Sequence, residues 1–400
     1  MFDIERIRAD FPILSKKVYG KRLIYLDNAA TTHKPASVLD AVREFYTAHN
    51  SNIHRGVHRL SEESSGEYEA ARERVREFLG AGSDFEVVFT AGTTDSINLV
   101  ADSFGSLLAE NDEIIISEME HHSNLVPWQV LREKEGVALK VIPVDDAGNL
   151  MLGEMDRLLT DRTKLVSLTC VSNVLGTANP VEEVIERAHQ RDVPVLLDGA
   201  QMVQHRPVDV RDLDCDFFAF SGHKIYAETG IGVLCAKKEW LERMPPYRCG
   251  GGMISSSSIE QTTFLEPPLK FEAGTGHLSG AVSLKAAIDY ITGVGLENVM
   301  SHEQRVYDYA VAELGDMEGV EVYGNAPERF GAISFNVDGM HHYDVGAMMD
   351  KMGIAVRTGK HCAEPLVNRL GIKGTVRASF GIYNTKAEVD ALTGGIRKVR

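Results

Sequence analysis

The chain has 400 residues, of which 44% are hydrophobic and 25% charged, so its composition excludes extended disorder and allows a sizeable core. The balance of 42 Lys and Arg against 58 Asp and Glu gives a net charge of −16, which argues against a general nucleic-acid or anionic-membrane binder. At about 150 residues per domain, this length suggests two or three domains.

Targeting and redox signals are weak in this sequence. No apolar run approaches the length of a membrane span, and the segment MFDIERIRADFP lacks the apolar stretch of a signal peptide. We therefore expect a cytoplasmic protein that binds neither membrane nor nucleic acid. The five cysteines are scattered without a C-x-x-C pair, which fits neither a disulfide framework nor a zinc ribbon. His54 and His58 have helical metal-ligand spacing but no evident third ligand, so we predict no metal site.

In chain order, the first strong element is a helix predicted over Arg59–Gly80, with Ser61 as a possible cap. Short apolar runs then alternate with helical patterns. Continuous Val/Ile/Leu runs are typical of strands buried on both faces, which predicts an α/β protein with a mainly parallel sheet. The runs are EVVFT, EIIIS, KLVSLTC, VPVLLD, DFFAFS and GIGVLC.

The character of the sequence changes between Gly250 and Gly280. This stretch is rich in Gly, Ser and Pro, and we expect a long ordered loop there. Helical and strand patterns resume after it, which predicts a second, smaller α+β unit at the C-terminal end.

Chemically informative residues follow the predicted strands, where open α/β sheets place their ligands. They supply hydroxyls at a helix start, an imidazole, an amide, a carboxylate and a lysine. Each has an ordinary explanation alone, such as helix capping for Thr93 and Thr94 or a solvated side chain for Lys224. Together they provide a Schiff-base lysine, an acid and a phosphate cradle, as pyridoxal phosphate requires. They are Thr93, Thr94, His121, Asn173, Asp198, Ser221, His223 and Lys224.

Several longer motifs carry a resemblance to a known family. The sequence is similar to class V, fold-type I pyridoxal phosphate enzymes, and most closely resembles the Suf-type (group II) cysteine desulfurases. The resemblance implies a large seven-stranded domain over 25–280, a small domain over 281–400 with the catalytic-cysteine loop, and an N-terminal segment, 1–24, packed on the small domain. The motifs are EMEHHSNLVPWQ, SNVLGT, VLLDGAQ, SGHKIYAETGIGVL, FEAGT and RTGKHCAEP.

The resemblance also implies roles for individual residues. Lys224 holds the cofactor as a Schiff base and shuttles a proton, Asp198 keeps the pyridine nitrogen protonated, and His121 stacks on the ring. Gln201 reaches the ring hydroxyl, while Thr275 contacts the phosphate of a partner subunit, which implies a homodimer with shared sites. The remaining phosphate ligands are Thr93, Thr94, Ser221 and His223, and the residues that orient the substrate are Asn173, Arg357 and Arg377.

Cys362 is the implied nucleophile. Its thiolate attacks the sulfur of L-cysteine, which leaves alanine and a persulfide that an acceptor protein removes, an activity implied for iron–sulfur cluster assembly. We expect the neighbouring Arg357, Lys360 and His361 to favour the thiolate. The other cysteines differ in their surroundings. Cys170, Cys215 and Cys235 are expected in the core, and Cys249 is ambiguous.

Some features leave alternatives open. Selenocysteine lyase and cysteine sulfinate desulfinase share the same fold, and a pocket hardly separates sulfur from selenium by size. Ser221 and Lys224 also match the S-x-x-K of Ser/Lys acyl enzymes, but that motif belongs on a helix, whereas here an apolar strand is predicted directly before it. Three departures from the family pattern put the partner contact and the Cys362 loop in doubt: Ala227-Glu228, Lys360 and Gly276-His277.

Overall fold

The structure, a computed structural model, describes residues 2–400. Its main feature in that range is a seven-stranded sheet, which confirms the predicted α/β class and the predicted sheet. All of its strands run parallel except Gly232–Lys237, which is antiparallel to both neighbours. In spatial order the strands are Phe85–Thr90, Gly232–Lys237, Phe217–Ser221, Val195–Asp198, Thr163–Thr169, Glu113–Ser117 and Ala138–Ile142.

Both faces of this sheet are buried, which explains the continuous apolar runs in the sequence. Ile115 and Leu197 pack into the core on one face, whereas Ile114 and Leu196 pack into the core on the other. Successive strand residues point to opposite faces, so each must be apolar where helices cover both sides. The helices in this part of the chain are Arg59–Phe78, Thr93–Ser103, Val126–Glu135, Leu152–Leu158, Val181–His189, Val210–Leu213, Lys238–Arg243 and Leu278–Val294.

The helix predicted from residue 59 begins there, but Ser61 is not its cap. His58 caps the helix, and its Nδ1 accepts the N–H of Ser61 at 3.3 Å. The Ser61 hydroxyl instead donates to the carbonyl of Asn52 at 2.7 Å. An imidazole with an unprotonated nitrogen accepts a hydrogen bond as a hydroxyl oxygen does, and the sequence pattern favours the more common residue type.

A second, antiparallel sheet lies in the C-terminal part of the chain. Its strands, in spatial order, are Val320–Tyr323, Ala332–Val337, Thr375–Ser379 and Arg357–Gly359. Ile354–Ala355 pairs separately, and in parallel, with Ile24–Tyr25 near the start of the chain. A core of its own lies beneath this sheet. The helices around it are Leu296–Gly315, His342–Lys351, Glu364–Arg369 and Lys386–Val399.

The N-terminal residues are tied to the C-terminal helix. Arg8, on the helix Ile4–Ala9, forms an ion pair of 2.9 Å with Glu388, and both side chains are 5% exposed. Arg8 also donates to the carbonyl of Tyr383. The helix Ala36–Glu44 and a π-helical turn, Phe45–His49, follow this segment before the sheet begins.

The stretch expected as a long loop contains regular structure. Ile254–Ser257 and Thr262–Phe264 form a hairpin, whose tip residue Ile259 is 98% exposed. Paired hydroxyls join its strands, with Ser257 Oγ 2.9 Å from Thr262 Oγ1. The prediction of a loop was wrong for the hairpin because it rested on the Gly, Ser and Pro content of the stretch, although the threonines of the second strand favour strands.

Within residues 2–400, none of the helices combines the length and the apolar character that crossing a bilayer requires.

Candidate active site

A cavity of about 450 Å³ opens at the carboxyl ends of the parallel strands. Every site residue predicted from the sequence lines it except Thr275. Residues more than 250 positions apart in the chain therefore meet at one place, as the sheet topology requires. The predicted residues that line it are Thr93, Thr94, His121, Asn173, Asp198, Gln201, Ser221, His223, Lys224, Arg357, Cys362 and Arg377.

One end of the cavity is built from the start of the helix Thr93–Ser103. The Ser221 hydroxyl accepts the N–H of Thr93 at 2.8 Å and lies 2.7 Å from Thr93 Oγ1. The preceding Gly92 has φ of +150°, and a Cβ on Gly232 would lie 2.3 Å from the Gly92 Cα. Glycine at both positions lets the two backbones approach, and the helix N-terminus with its hydroxyls forms a natural anion cradle.

A chain of hydroxyls connects this cradle to His121. Thr94 Oγ1 lies 2.6 Å from Ser123 Oγ, which lies 2.9 Å from His121 Nδ1. Because His121 Nδ1 also accepts the N–H of Ser123 at 3.1 Å, the ring proton resides on Nε2. Burial, together with the charge of Lys224, lowers the pKa of His121 to about 3. His121 is therefore a neutral imidazole at every physiological pH.

Lys224 and Asp198 are two buried groups of opposite charge that line the cavity. Lys224 lies on a short turn directly after the strand Phe217–Ser221, and burial lowers its pKa to about 8, against the opposing effect of Asp198. Asp198 is the last residue of its strand, and its Oδ1 accepts the N–H of Ala200 at 2.9 Å. Burial raises the pKa of Asp198, and Lys224 opposes that shift. Each group thus helps to keep the other charged.

His223 and Gln201 join the cavity to the segment around residue 30. The His223 carbonyl accepts the N–H of Thr32 at 3.0 Å, and Gln201 Nε2 donates to the carbonyl of Ala29 at 2.8 Å. Burial and the charge of Lys224 lower the pKa of His223 to about 4, so this ring is neutral as well. These bonds hold Ala29 and its neighbours against the cavity wall.

The opposite end of the cavity contains two arginines. Arg377 is 2% exposed, and its Nη1 donates to the carbonyl of Asn173 at 2.8 Å. Its Nη2 lies 3.3 Å from Asp27 Oδ1, while its buried Nε has no hydrogen-bond partner among residues 2–400. Burial lowers the pKa of Arg377 to about 10, and Asp27 opposes the shift. Arg357 also binds Asp27, so one carboxylate holds both guanidinium groups.

Cys362 lies in the loop between the strand Arg357–Gly359 and the helix Glu364–Arg369, where the sequence placed it, and it is exposed. Two of the cations expected beside it are directed elsewhere. Lys360 pairs with Glu364, and His361 turns its Nε2 to Thr375 at 2.8 Å. Burial lowers the pKa of His361 to about 3, so this ring carries no charge.

The expectation for Lys360 and His361 was therefore wrong, because adjacency in sequence does not fix the direction of a side chain. The cations whose pKa values Cys362 affects are Lys224, Arg357 and Arg377. Cys362 is among the groups that raise the pKa of each of them, after the larger effects of burial and of a carboxylate, which is Asp198 for Lys224 and Asp27 for the two arginines.

The other cysteines are distributed as expected. Cys170, Cys215 and Cys235 are buried, and burial raises the pKa of all three, to about 12 for Cys235. Buried thiols with raised pKa values are poor nucleophiles. Cys249 is exposed but lies outside the cavity, which leaves Cys362 as the cysteine that lines it.

Thr275 lies at a separate cavity of about 260 Å³, beside Asn52 and Arg55. Its hydroxyl is 3.4 Å from Asn52 Oδ1. Two of the unusual residues meet close by, since His277 Nε2 is 3.6 Å from Glu228 Oε2. That carboxylate also accepts the Ser279 hydroxyl at 3.1 Å.

Two other features bear on the alternatives. Among the described residues, no group of three His, Cys, Asp or Glu side chains has the geometry of a metal site. Ser221 ends a strand and bonds Thr93, and Lys224 lies on a separate turn, so the pair does not form the helical S-x-x-K of an acyl enzyme.

Sequence reasoning missed several residues that shape the site. Asp27 follows a strand of only two residues, too short to show a pattern, and Ser123 looked like an ordinary helix-start residue. Glu120 is fully buried and accepts hydrogen bonds from Ser117 at 2.5 Å and Asn124 at 2.6 Å. Burial raises the pKa of Glu120 to about 8. Its position directly before His121 in EMEHH was the signal that could have drawn attention to it.

Comparison with known proteins places the chain in a family. Residues 24–392 match the family model described as aminotransferase class-V. A cysteine desulfurase of Dickeya dadantii is 46% identical over 400 residues, which are all of this chain and 97% of that protein. The structure of the apo cysteine desulfurase from Thermococcus onnurineus NA1 superposes with a TM-score of 0.94 at 40% identity, covering 99% of this chain and 97% of the other.

Other relatives are longer. A cysteine desulfurase of Synechococcus elongatus is 48% identical over all of this chain, but the chain spans only 64% of that protein's length. It spans 66% and 58% of two further relatives.

Proposed function

Since the chain belongs to the class-V aminotransferase family, we propose that it is a pyridoxal phosphate-dependent cysteine desulfurase of the Suf-type (group II) that converts L-cysteine to L-alanine. The observation that carries this proposal is that Cys362 and Lys224 line the same cavity. Transfer of an amino group needs no thiol, so the cysteine distinguishes sulfur chemistry from transamination. The Dickeya and Thermococcus relatives, both named cysteine desulfurases, support the same assignment.

The residues present fit pyridoxal phosphate. The cradle at Gly92, with hydroxyls from Thr93 and Ser221 at a helix start, suits a phosphate. Lys224 is a buried amine with a lowered pKa, as a Schiff-base lysine needs, and Asp198 is a buried carboxylate for a ring nitrogen. When bound, the cofactor withdraws electrons from the α-carbon of the substrate.

Further contacts follow from the lining of the cavity. We assign Thr94 and His223 to the phosphate end, and Gln201 and His121 to the ring, the imidazole through its flat face. Neutral His121 suits stacking, since a cation beside Lys224 would be repelled. Its Nε2–H is also available to give a proton to the substrate.

Lys224 moves the proton of the substrate. A pKa of about 8 leaves roughly a tenth of Nζ neutral at pH 7, and this neutral amine can accept the proton of the substrate α-carbon. An ordinary lysine would be almost fully protonated at the same pH.

Arg377 holds the substrate carboxylate. Its buried guanidinium group lines the cavity, where a substrate carboxylate would add a counter-charge to that of Asp27. Arg357, which lines the same end, adds a second cation, and the side chain of Asn173 adds an amide. An arginine–carboxylate pair fixes orientation as well as position.

Cys362 carries out the sulfur transfer. Its thiolate attacks the substrate sulfur, so that a sulfur–sulfur bond forms while the carbon–sulfur bond breaks. The electron pair of the broken bond stays on carbon, which takes up a proton to become the methyl group of alanine. The sulfur remains as a persulfide on Cys362, in an exposed loop from which a sulfur-acceptor protein can remove it.

We also propose the wider setting of the reaction. The chain acts in the cytoplasm as a homodimer with shared sites, and Thr275 completes the phosphate site of the partner subunit. This agrees with its position outside the cavity of its own chain. The sulfur serves iron–sulfur cluster assembly.

One experiment tests the proposed function. Purified protein loaded with pyridoxal phosphate receives L-cysteine, L-selenocysteine or L-cysteine sulfinate in parallel, and alanine release is measured. The proposal predicts alanine and a Cys362 persulfide from L-cysteine. Turnover confined to selenocysteine or to the sulfinate would contradict it and would assign the chain to selenocysteine lyase or cysteine sulfinate desulfinase instead.

A further inference from the structure

The peptide that carries Cys362 has an unusual backbone held at three points. His361 and Cys362 both have positive φ, +52° and +57°, a region that residues other than glycine enter at an energetic cost. The His361 carbonyl accepts from Asn173 Nδ2 at 2.6 Å. The Cys362 carbonyl accepts the N–H of His122 at 2.7 Å. The third point is the ring of His361, which is bonded to Thr375.

Thr375 anchors the loop from outside the cavity. It is fully buried at the start of the strand Thr375–Ser379 and pairs in the sheet with Gly359. Asn173 and His361 line the cavity themselves, whereas Thr375 does not. Its side chain can therefore affect the reaction only through the residues it holds.

The ring of His361 depends on this hydroxyl. Because the ring is neutral, it has one N–H donor and one acceptor nitrogen. Its Nδ1 is buried and has no hydrogen-bond partner in the described part of the chain, while Nε2 lies 2.8 Å from Thr375 Oγ1. Without the hydroxyl, Nε2 would lose its side-chain partner and only the backbone of Thr375 would remain to bond the ring, so the ring would be held less firmly in its present position.

We propose that Thr375 is a positioning residue for the nucleophile: its hydroxyl fixes the ring of His361 and thereby the peptide that presents Cys362 to the cavity. The effect on the loop follows from the structure alone. The effect on turnover rests on the proposed function.

Two variants of the full chain separate the hydroxyl from the rest of the side chain. Thr375→Val keeps the shape and removes the hydroxyl, and Thr375→Ser keeps the hydroxyl. Hydrogen exchange is measured without substrate on peptides covering 360–366 and 118–125. These contain the Ala363 amide, which bonds the Lys360 carbonyl, and the His122 amide, which bonds the Cys362 carbonyl.

In Thr375→Val we expect these amides to exchange about tenfold faster. The carbonyl groups that accept their hydrogen bonds lie in the loop, which the ring of His361 then no longer holds in place. With L-cysteine, kcat falls about tenfold while KM stays within about twofold, since Arg377 and the rest of the substrate end are unchanged. In Thr375→Ser we expect the hydrogen-exchange rates and the kcat of the parent protein.

Three results would overturn the positioning role. They are parent-like loop exchange in Thr375→Val, equal acceleration in both variants, and acceleration that extends to Val195–Asp198, the central strand of the seven-stranded sheet. If the parent protein makes no alanine from L-cysteine, the proposed function fails, whereas the exchange comparison still decides the role of Thr375.

Discussion

Arg357 binds Asp27 through two nitrogens, with Nε at 3.0 and 3.1 Å from the carboxylate oxygens and Nη2 at 2.9 Å from Oδ2. The Asp27 hydrogen bond raises the pKa of Arg357. The same carboxylate contacts Arg377. Arg357 is therefore held in one position at the cavity, and Asp27 sets the geometry of both arginines that line it.

Asp27→Asn should weaken substrate binding more than it slows the reaction. The amide cannot hold two guanidinium groups, and Arg377 loses its buried counter-ion. We expect KM for L-cysteine to rise about tenfold, equivalent to about 1.4 kcal/mol, with a smaller change in kcat. Steady-state kinetics beside Asp156→Asn, a surface ion-pair variant, provides the control. An unchanged KM would show that Asp27 does not position the arginines.

The pKa of Lys224 should govern the uptake of the cofactor. Only the neutral amine forms a Schiff base, and burial lowers the pKa of Lys224 to about 8. Raising the pH through that value removes the proton from Nζ, so the rate of uptake by cofactor-free protein should rise with a midpoint near pH 8. Absorbance after mixing with pyridoxal phosphate measures this rate. A midpoint near the ordinary lysine value would contradict the assignment, as would a borohydride-reducible band in Lys224→Ala.

Asp198→Asn should bind the cofactor and turn over slowly. The amide keeps the shape and can still bond the backbone at Ala200, but it removes the negative charge that would hold a ring nitrogen protonated. We expect kcat to fall about 100-fold or more, with the bound cofactor visible in the spectrum. Activity within a few-fold of the parent would mean that another acid serves the ring.

Much of this site could be predicted because its residues follow long apolar strands. The runs before Asp198 and Lys224 are buried on both faces, so they identify strands and their ends without ambiguity. Asp27 could not be predicted in this way, since it follows the two-residue strand Ile24–Tyr25, which pairs with residues more than 300 positions later. The directions of side chains could not be predicted from the sequence either. Lys360 lies in the same loop as Cys362, but its side chain pairs with Glu364.

Shared sites between two subunits should be visible in mixed dimers. Lys224→Ala removes a group inside the cavity, and Thr275→Val removes one that lies outside it. If Thr275 serves the partner subunit, a mixed dimer contains one site with neither defect, so mixing two impaired proteins should recover activity. Mixing Lys224→Ala with Asp198→Asn is the control. Both residues line the cavity of their own chain, so each site of that mixed dimer keeps one defect and no activity should return. Failure of the first pair to recover activity in a verified mixed dimer would contradict the role of Thr275.

The most direct test of the account is a single turnover of L-cysteine by Cys362→Ser, loaded with pyridoxal phosphate, beside Cys249→Ser. Cys249 is the other exposed cysteine and lies outside the cavity, so its variant controls for the loss of a reactive thiol. We predict that Cys362→Ser binds the cofactor and shows a spectral change with L-cysteine but releases no alanine, while Cys249→Ser releases alanine as the parent does. Undiminished alanine release by Cys362→Ser would contradict the persulfide mechanism.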